Sequence, residues 1–475
     1  MLRRAPFERP SSAKVDQVRL ALSRALGDSK VLVDEDAMGA YAGDESEQEP
    51  VVPDAVVRAE SADDIATVLK IANAHEVPVT PRAGGSGKSG GAVPVAGGIA
   101  LCCMGMKAIK EIDTRELIAV VEPGVILGDL YDAVEAEGLF YPPDPNSWKM
   151  CALGGTIAEN AGGPRAFKYG VTRDWVLGLD VITGEGTRLT TGRRTRKGVT
   201  GYDLTALLVG SEGTLGITLE ATVKLMRRPP EIVTLLGLFE NVETSAKAVE
   251  NVVAAGLVPR CLEMIDGGCL EAMRSQGVAI DARAGALLIL ELDGEPGQLD
   301  QGMERVGEAT VDAGALDVLV AQDAAQRERL WESRRQLSYT TRKMATYKIA
   351  EDVVVPRTLM PDLVREVGHI SERTEVHMLN YGHAGDGNLH VNLLWNDPDD
   401  NPRIERALDE LFRAVVGMKG TLTGEHGVGT SKSEYLHMEQ SDALIGMQKR
   451  IKDQFDPKGI LNPGKIFPRR GHRAC

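Results

Sequence analysis

The sequence predicts an α+β protein of two principal domains, on three observations. Helical and strand patterns interleave from residue 51 to about 227. A proline pair in RRPPE (227–231) interrupts both, and a second series of strands and helices follows. Prolines lack the backbone donor and clash with the preceding turn, so neither helix nor ladder runs through such a pair. The length, 475 residues, is that of several ordinary cores rather than one. The expected organisation is an amino-terminal helical segment over 1–50, a first domain over 51–228, a second over 229–468 and a tail over 469–475.

Each element has a local reason. Val15, Val18, Leu22 and Leu26 recur at helical spacing across 11–27, and Gly27 closes that helix. Ser61 with Asp64 forms a capping-box pattern ahead of Ile65, Val68, Leu69 and Ala72. Val77–Thr80 reads as a strand entering a glycine-rich turn. Leu127, Leu130, Tyr131 and Val134 make a helix that Gly138 stops. Short apolar strands are expected at 117–121, 177–182 and 215–220. Beyond the prolines, LEMID (262–266), LLILELDG (287–294) and EDVVVP (351–356) read as strands, and 404–418 as a helix with Leu408, Leu411 and Val415 inward.

Composition narrows the function classes. At 43% hydrophobic and 26% charged residues the chain is globular rather than disordered. A net charge of −15 repels phosphate backbones, which argues against nucleic acid. The six cysteines show no CxxC spacing, so an iron–sulfur segment or zinc ribbon is not expected, and reduced thiols are. MLRRAPFERPSSAK lacks a signal-length apolar stretch, and no run of ~18 apolar residues occurs. A cytoplasmic protein without a transmembrane segment is expected, with room for peripheral association at the inner membrane.

Glycine, 52 of 475 residues or about 11% against a usual ~7%, is clustered. PRAGGSGKSGG (81–91) directly follows a predicted strand. Its glycines let successive amide N–H groups converge, and a diphosphate is the natural occupant. LGGTIAENAGG (153–163) and VGSEGTLGI (209–217) are two further clusters, expected at the edges of apolar strands. Glycine weakens a strand unless a backbone or flat ligand approaches closely.

PRAGGSGKSGG, EPGV (122–125), YPPDPNS (141–147), LGGTIAENAGG and GSEGTLGI, in this order, resemble the PCMH-type FAD-binding domain of the vanillyl-alcohol oxidase superfamily. The resemblance implies that Pro81, Arg82, Gly84, Gly85, Ser86, Gly87, Lys88 and Ser89 cradle the FAD pyrophosphate. It places Pro143, Asp144, Gly154, Gly155, Asn160, Gly162 and Gly163 along the isoalloxazine and ribityl portions. Gly213, Gly216 and Ile217 would meet the adenine half. Some members tether FAD through a histidine at the position of Ser86, so non-covalent FAD is expected here.

The second domain contains NYGHAGDGNLHVN (380–392). A helix carrying His383 and His390 seven apart would suffer from Gly385 and Gly387, at about 1 kcal/mol each. A tight turn into an HVNLL strand is expected instead, bringing both imidazoles toward one point. TGEHGVGTSK (423–432) adds Glu425 and His426. Two histidines and a glutamate suit Zn²⁺, Mn²⁺ or Fe²⁺ with open positions.

GHAGDGNLH followed by TGEHGVG resembles the carboxy-terminal domain of the D-2-hydroxyacid dehydrogenases of the same superfamily: the D-lactate, D-2-hydroxyglutarate and glycolate oxidase flavoprotein groups. This implies His383, His390 and Glu425 as ligands of a divalent metal, zinc first with manganese or iron as alternatives, and His426 as catalytic base. It assigns substrate contacts to Arg334 (or its neighbour Arg335), Ser338, Lys348 and Asn392, and returns Asn462 of ILNPGKIF to the flavin. The implied reaction is FAD-dependent oxidation of a D-2-hydroxy acid to the 2-oxo acid. Hydride passes to flavin N5, the metal polarises the hydroxyl and histidine takes the proton. The electron acceptor is a quinone, a cytochrome, an electron-transfer flavoprotein or O₂, and the chain acts as a homodimer or as a subunit of a complex. Two alternatives are a non-redox ether-lipid synthase of the superfamily and a non-catalytic flavoprotein subunit of an oxidase complex. The HAGDGNLH and GEHG pair argues against the first, and intact His383, His390, Glu425 and His426 against the second.

Overall fold

The computed structural model describes residues 7–468; Cys475 and the remainder of the expected tail, with the first six residues, lie outside them. The chain is a two-part α+β fold. Among the described residues one unit comprises 7–161, Val171–Arg228 and 425–468; the other comprises Gly162–Gly170 and Pro229–Gly424.

The first unit is built on two main sheets. A four-stranded sheet has the order Val31–Leu32, Ala55–Arg58, Ile99–Cys102, Val79–Arg82. Its last three strands are parallel, so Ala55–Arg58 and Val79–Arg82 need a crossover, which the helix Ala62–His75 supplies. Ser61 caps that helix by accepting from Asp64 N, but only half of the expected box forms. The Asp64 carboxylate is taken by Lys30 and by Glu60 N. The first fifty residues are not helical throughout: Ser12–Leu26 is followed by the strand Val31–Leu32, which joins the sheet edge against Val56 and Val57. Val18, Leu22, Ile65, Val68, Leu69 and Leu101 are among the residues that fill this core. A five-stranded antiparallel sheet, order Ile109–Asp113, Ile118–Val121, Ile217–Lys224, Val176–Ile182, Arg188–Gly192, forms a second core with the helix Leu127–Ala136.

The second unit is organised by a seven-stranded antiparallel sheet. Its order is Asp317–Val320, Glu231–Phe239, Ala286–Gly294, Cys261–Asp266, His377–His383, Asn388–Trp395, Tyr347–Val354. The strands Cys261–Asp266 and Asn388–Trp395 are buried at every residue, so both faces are covered. The helix Asn401–Gly417 buries Ile404, Ala407, Leu408, Leu411, Phe412 and Val415, one stripe at helical spacing. On one face Cys269, Leu270, Met273, Trp331 and Leu337 pack against Cys261, Ile265, Ile289, Leu379 and Tyr381. Polar side chains within strands this buried are the informative exception. They include Glu263, Asp352, His383, His390 and Asn392.

Among the described residues no helix is long and apolar enough to cross a membrane. The cysteines there, Cys102, Cys103, Cys151, Cys261 and Cys269, are buried free thiols. Burial pushes the Cys103 thiol up to about 12 and Cys151 to about 11, which keeps both protonated and unreactive.

Candidate functional site

In the first unit the loop 81–91 leaves the carboxyl end of parallel strands, where open α/β sheets present backbone to ligands. A Cβ on Gly84 would lie 2.3 Å from the Met150 carbonyl oxygen, and one on Gly213 2.5 Å from Pro81 Cγ. These glycines let the expected segments close on one another. Gly155 differs: its nearest neighbour would be Ala83 Cβ at 3.8 Å, and Gly87 would meet only Asp44 at 3.7 Å. Neither has a positive φ. Packing and backbone leave these two without a need for glycine, so the bare backbone there is open to close approach by a flat, phosphate-bearing cofactor.

The other residues expected at the cofactor have varied surroundings. Gly154 and Gly155 are not at a strand edge but in the helix Leu153–Glu159, which ends at Asn160 in a left-handed turn (φ 55°). Asn160 Oδ1 accepts from Arg173 N. Arg82 turns back to the Gly43 carbonyl and lies over the Tyr41 ring, while Lys88 pairs with Glu45 at 3.5 Å. Ser86 and Gly85 belong to the half-buried part of the loop, and Ser89 to its buried end. Pro143 accepts from the Tyr131 hydroxyl, with Asp144 beside it in sequence. Gly216 and Ile217 open the strand that pairs with Val176–Ile182. Asn462 donates to the Gly91 and Glu212 carbonyls at 3.0 and 2.7 Å. Gly162 and Gly163 belong to the short insert of the second unit.

Two acids that sequence reasoning missed lie in this unit. Glu212 accepts from Val428 N at 2.8 Å and Gly429 N at 2.7 Å, which pins the turn after His426. Burial raises Glu212 to about 7 against the pull of those N–H groups, and raises Glu159 well above the carboxylate range, helped by repulsion from Glu212 and Asp44. Lys465 is lowered to about 8 by burial, opposed by Asp44, Glu212 and Glu159.

In the second unit the hairpin His377–His383/Asn388–Trp395 turns through Ala384–Asp386 and Gly387. Gly387 has φ +77° and its Cβ would strike the Val355 carbonyl at 2.0 Å, so the turn needs glycine. Tyr381 pairs with His390 across the hairpin, Glu263 with His383, and Asp352 with His390. With side chains alternating along each strand, Glu263, Tyr381, His383, His390, Asn392, Asp352 and Lys348 share one face. The two imidazoles meet edge to face, 5.1 Å between centroids.

The charges on this face are held in place. Glu263 Oε1 lies 2.5 Å from His383 Nδ1 and Oε2 2.6 Å from Arg334 Nη2. Burial alone would push the Glu263 carboxyl up, but the neighbouring Arg334 guanidinium and the His383 N–H outweigh it and hold it at about 2. Asp352 accepts from Asn388 Nδ2 at 2.6 Å, Thr423 Oγ1 at 3.0 Å and Gly424 N at 2.9 Å. Lys348 Nζ donates to the Ser338 carbonyl and to Thr341 Oγ1.

Arg334 is buried and lies 4.8 Å from the Tyr381 ring centroid, whereas Arg335 pairs with Glu328 and Glu332 on the outside of the helix Ala324–Arg335. Burial raises the Tyr381 phenol, opposed by Arg334 and by polar contacts from Ser338 and Asn392. Arg334, Ser338, Lys348, Asn392, His383 and His390 are thus gathered in this unit. Asn392 commits its Nδ2 to the Leu379 and His390 carbonyls. Glu425 and His426 open the segment assigned to the first unit, directly after Gly424.

The model of the FAD binding domain matches residues 53–192, and that of the FAD linked oxidases, C-terminal domain, matches 228–466. The chain belongs to the FAD-linked oxidase family. This FAD-linked oxidoreductase is 40% identical over 430 residues to glycolate oxidase subunit GlcD of Bacillus subtilis (strain 168), covering 90% of this chain and 92% of that one. It is 33% identical over 464 residues to D-2-hydroxyglutarate dehydrogenase of Stutzerimonas stutzeri (strain A1501), covering 92% and 96%. Among solved structures, p-cresol methylhydroxylase with substrate bound superposes with a TM-score of 0.82 at 19% identity, over 97% of this chain and 98% of that one, which shows the PCMH-type fold.

Proposed function

We propose that this FAD-linked oxidase converts a D-2-hydroxy acid to the 2-oxo acid, using His383, His390 and Glu425 to hold a divalent metal and His426 as the base. The observation that carries the reading is the single sheet face on which an imidazole pair stands beside two buried cations, Arg334 and Lys348. A 2-hydroxy acid is the complementary ligand: its hydroxyl and carboxylate chelate a cation, and its negative charge needs a fixed positive partner.

Two further points support it. GlcD and the Stutzerimonas enzyme are both named for 2-hydroxy acids. Glu425 follows Gly424, whose N–H donates to Asp352, the cross-strand partner of His390. The word subunit in the GlcD name also favours work within a larger oxidase assembly.

The roles divide by chemistry. Bound non-covalently, FAD would supply a hydride acceptor, and a divalent ion held by His383, His390 and Glu425, zinc before manganese or iron, would supply Lewis-acid stabilisation of the alkoxide. His383 and His390 each offer one ring nitrogen, and Glu425 a carboxylate oxygen. Arg334 presents a planar fork to the substrate carboxylate, and Lys348 a point charge. Ser338 and Asn392 line the same face as secondary polar contacts. His426, as neutral imidazole, accepts the hydroxyl proton near neutral pH.

The test is reduction of the yellow holoprotein under nitrogen by a stereospecific panel of glycolate and the enantiomers of lactate and 2-hydroxyglutarate, with metal supplied. Bleaching by glycolate or a D-acid and not by its L-enantiomer is expected. No bleaching by any 2-hydroxy acid would remove the reading.

A further inference from the structure

The strand Cys261–Asp266 carries one fully buried acid in mid-strand, Glu263, whose two carboxylate oxygens have different partners. Oε1 is 2.5 Å from His383 Nδ1 and Oε2 is 2.6 Å from Arg334 Nη2. A carboxylate is an acceptor only, so the contact with His383 makes Nδ1 the N–H donor, and in the neutral imidazole the lone pair then lies on Nε2. That is the tautomer and ring orientation a metal ligand needs, and a carboxylate behind the ring raises its basicity. The same group anchors the guanidinium that lies over Tyr381.

We propose that Glu263 is a positioning residue that sets His383 as an Nε2 metal ligand and, through its second oxygen, holds Arg334 in the substrate-binding face. This rests on the metal site proposed above. An amide at position 263 cannot do both tasks. With its oxygen toward Arg334, its NH₂ faces Nδ1, turns that nitrogen into an acceptor and puts the proton on Nε2. With its oxygen toward His383, its NH₂ opposes a guanidinium. The protein thereby links metal affinity to the placement of an arginine on a different element, the helix Ala324–Arg335.

The experiment measures zinc affinity by chelator competition on FAD-loaded wild type, Glu263→Gln and Glu263→Asp, with catalytic turnover left out of the readout. Glu263→Gln is expected to bind zinc roughly 10–100-fold more weakly, with Glu263→Asp between it and wild type. Zinc binding as tight as wild type in a folded Glu263→Gln overturns the proposal. Failure of the wild type itself to hold stoichiometric zinc overturns the metal site beneath it, a distinguishable result.

Because a variant at a buried ion pair can lose its fold, the second readout uses wild type. Long-range ¹H–¹⁵N correlation on histidine-labelled, metal-free protein is expected to show His383 with its proton on Nδ1, identified against a His383→Gln control. An Nε2–H tautomer overturns the proposal.

Discussion

The side-chain amide of Asn462 donates to the backbone carbonyl of Glu212 at 2.7 Å and to that of Gly91 at 3.0 Å, joining three glycine-bearing segments of the first unit at one residue. Its own N–H reaches the Val79 carbonyl at 2.8 Å. Asn462 also sits at φ 41°, a left-handed position that asparagine tolerates better than alanine. Asn462→Ala should leave two buried carbonyls short of a donor and cost about 1–3 kcal/mol. Urea unfolding of the holoprotein measures the loss, and FAD retention on gel filtration should fall with it. Unchanged stability and flavin content would show that this junction contributes nothing.

Gly155 separates fold from cofactor. In the helix Leu153–Glu159 alanine is the better helix former by about 1 kcal/mol, and its Cβ would meet nothing closer than Ala83 at 3.8 Å. Gly155→Ala should therefore leave the flavin-free protein as stable or slightly more so while weakening FAD binding at least severalfold. Gly84→Ala, whose Cβ would lie 2.3 Å from a carbonyl, should instead disturb the fold itself. Wild-type FAD affinity in Gly155→Ala, by fluorescence titration, would take the cofactor off that helix.

Stability should depend on pH through the buried acids and Lys465. Glu212 binds its proton more tightly in the fold, at about 7 against an ordinary 4.5. It favours the fold most below 4.5, and that contribution is lost as pH rises to about 7. Glu159 shifts in the same direction. Lys465 is lowered to about 8 from 10.5, so its contribution is present above 10.5 and lost as pH falls through about 8. These groups together predict a stability minimum between about 7 and 8. Glu212→Gln should flatten the acid-side slope in urea unfolding across pH. An unchanged slope would remove Glu212 as its source.

Much of this was legible in the sequence, for physical reasons. Glycine clusters mark places where backbone must approach something, and Gly385 and Gly387 rightly exclude a helix between the two histidines in favour of a turn. Glycine density does not distinguish the edge of a strand from the first turn of a helix, so it does not reveal that Gly154 and Gly155 lie in the helix Leu153–Glu159. Neighbours in sequence also do not reveal depth. Arg334 and Arg335 look alike in WESRRQLS, and only the helix phase buries one and leaves the other half-buried beside surface glutamates. Glu263 in LEMID and Asp352 in EDVVVP were readable as carboxylates inside apolar strands, a costly placement that asks for a partner. The partner itself, His383 for Glu263, is 120 residues away and is fixed by sheet register, which no local pattern encodes.

The proposed reaction is a metal-dependent oxidation carried out at His383, His390, Glu425 and His426. Its most direct measurement is flavin bleaching under nitrogen by the preferred D-2-hydroxy acid, before and after chelation with metal content verified by elemental analysis. Bleaching should slow by orders of magnitude on removal of the ion, return on adding zinc or manganese, and be absent in His426→Asn with the flavin spectrum intact. Undiminished bleaching in verified metal-free protein, or in His426→Asn, would contradict it.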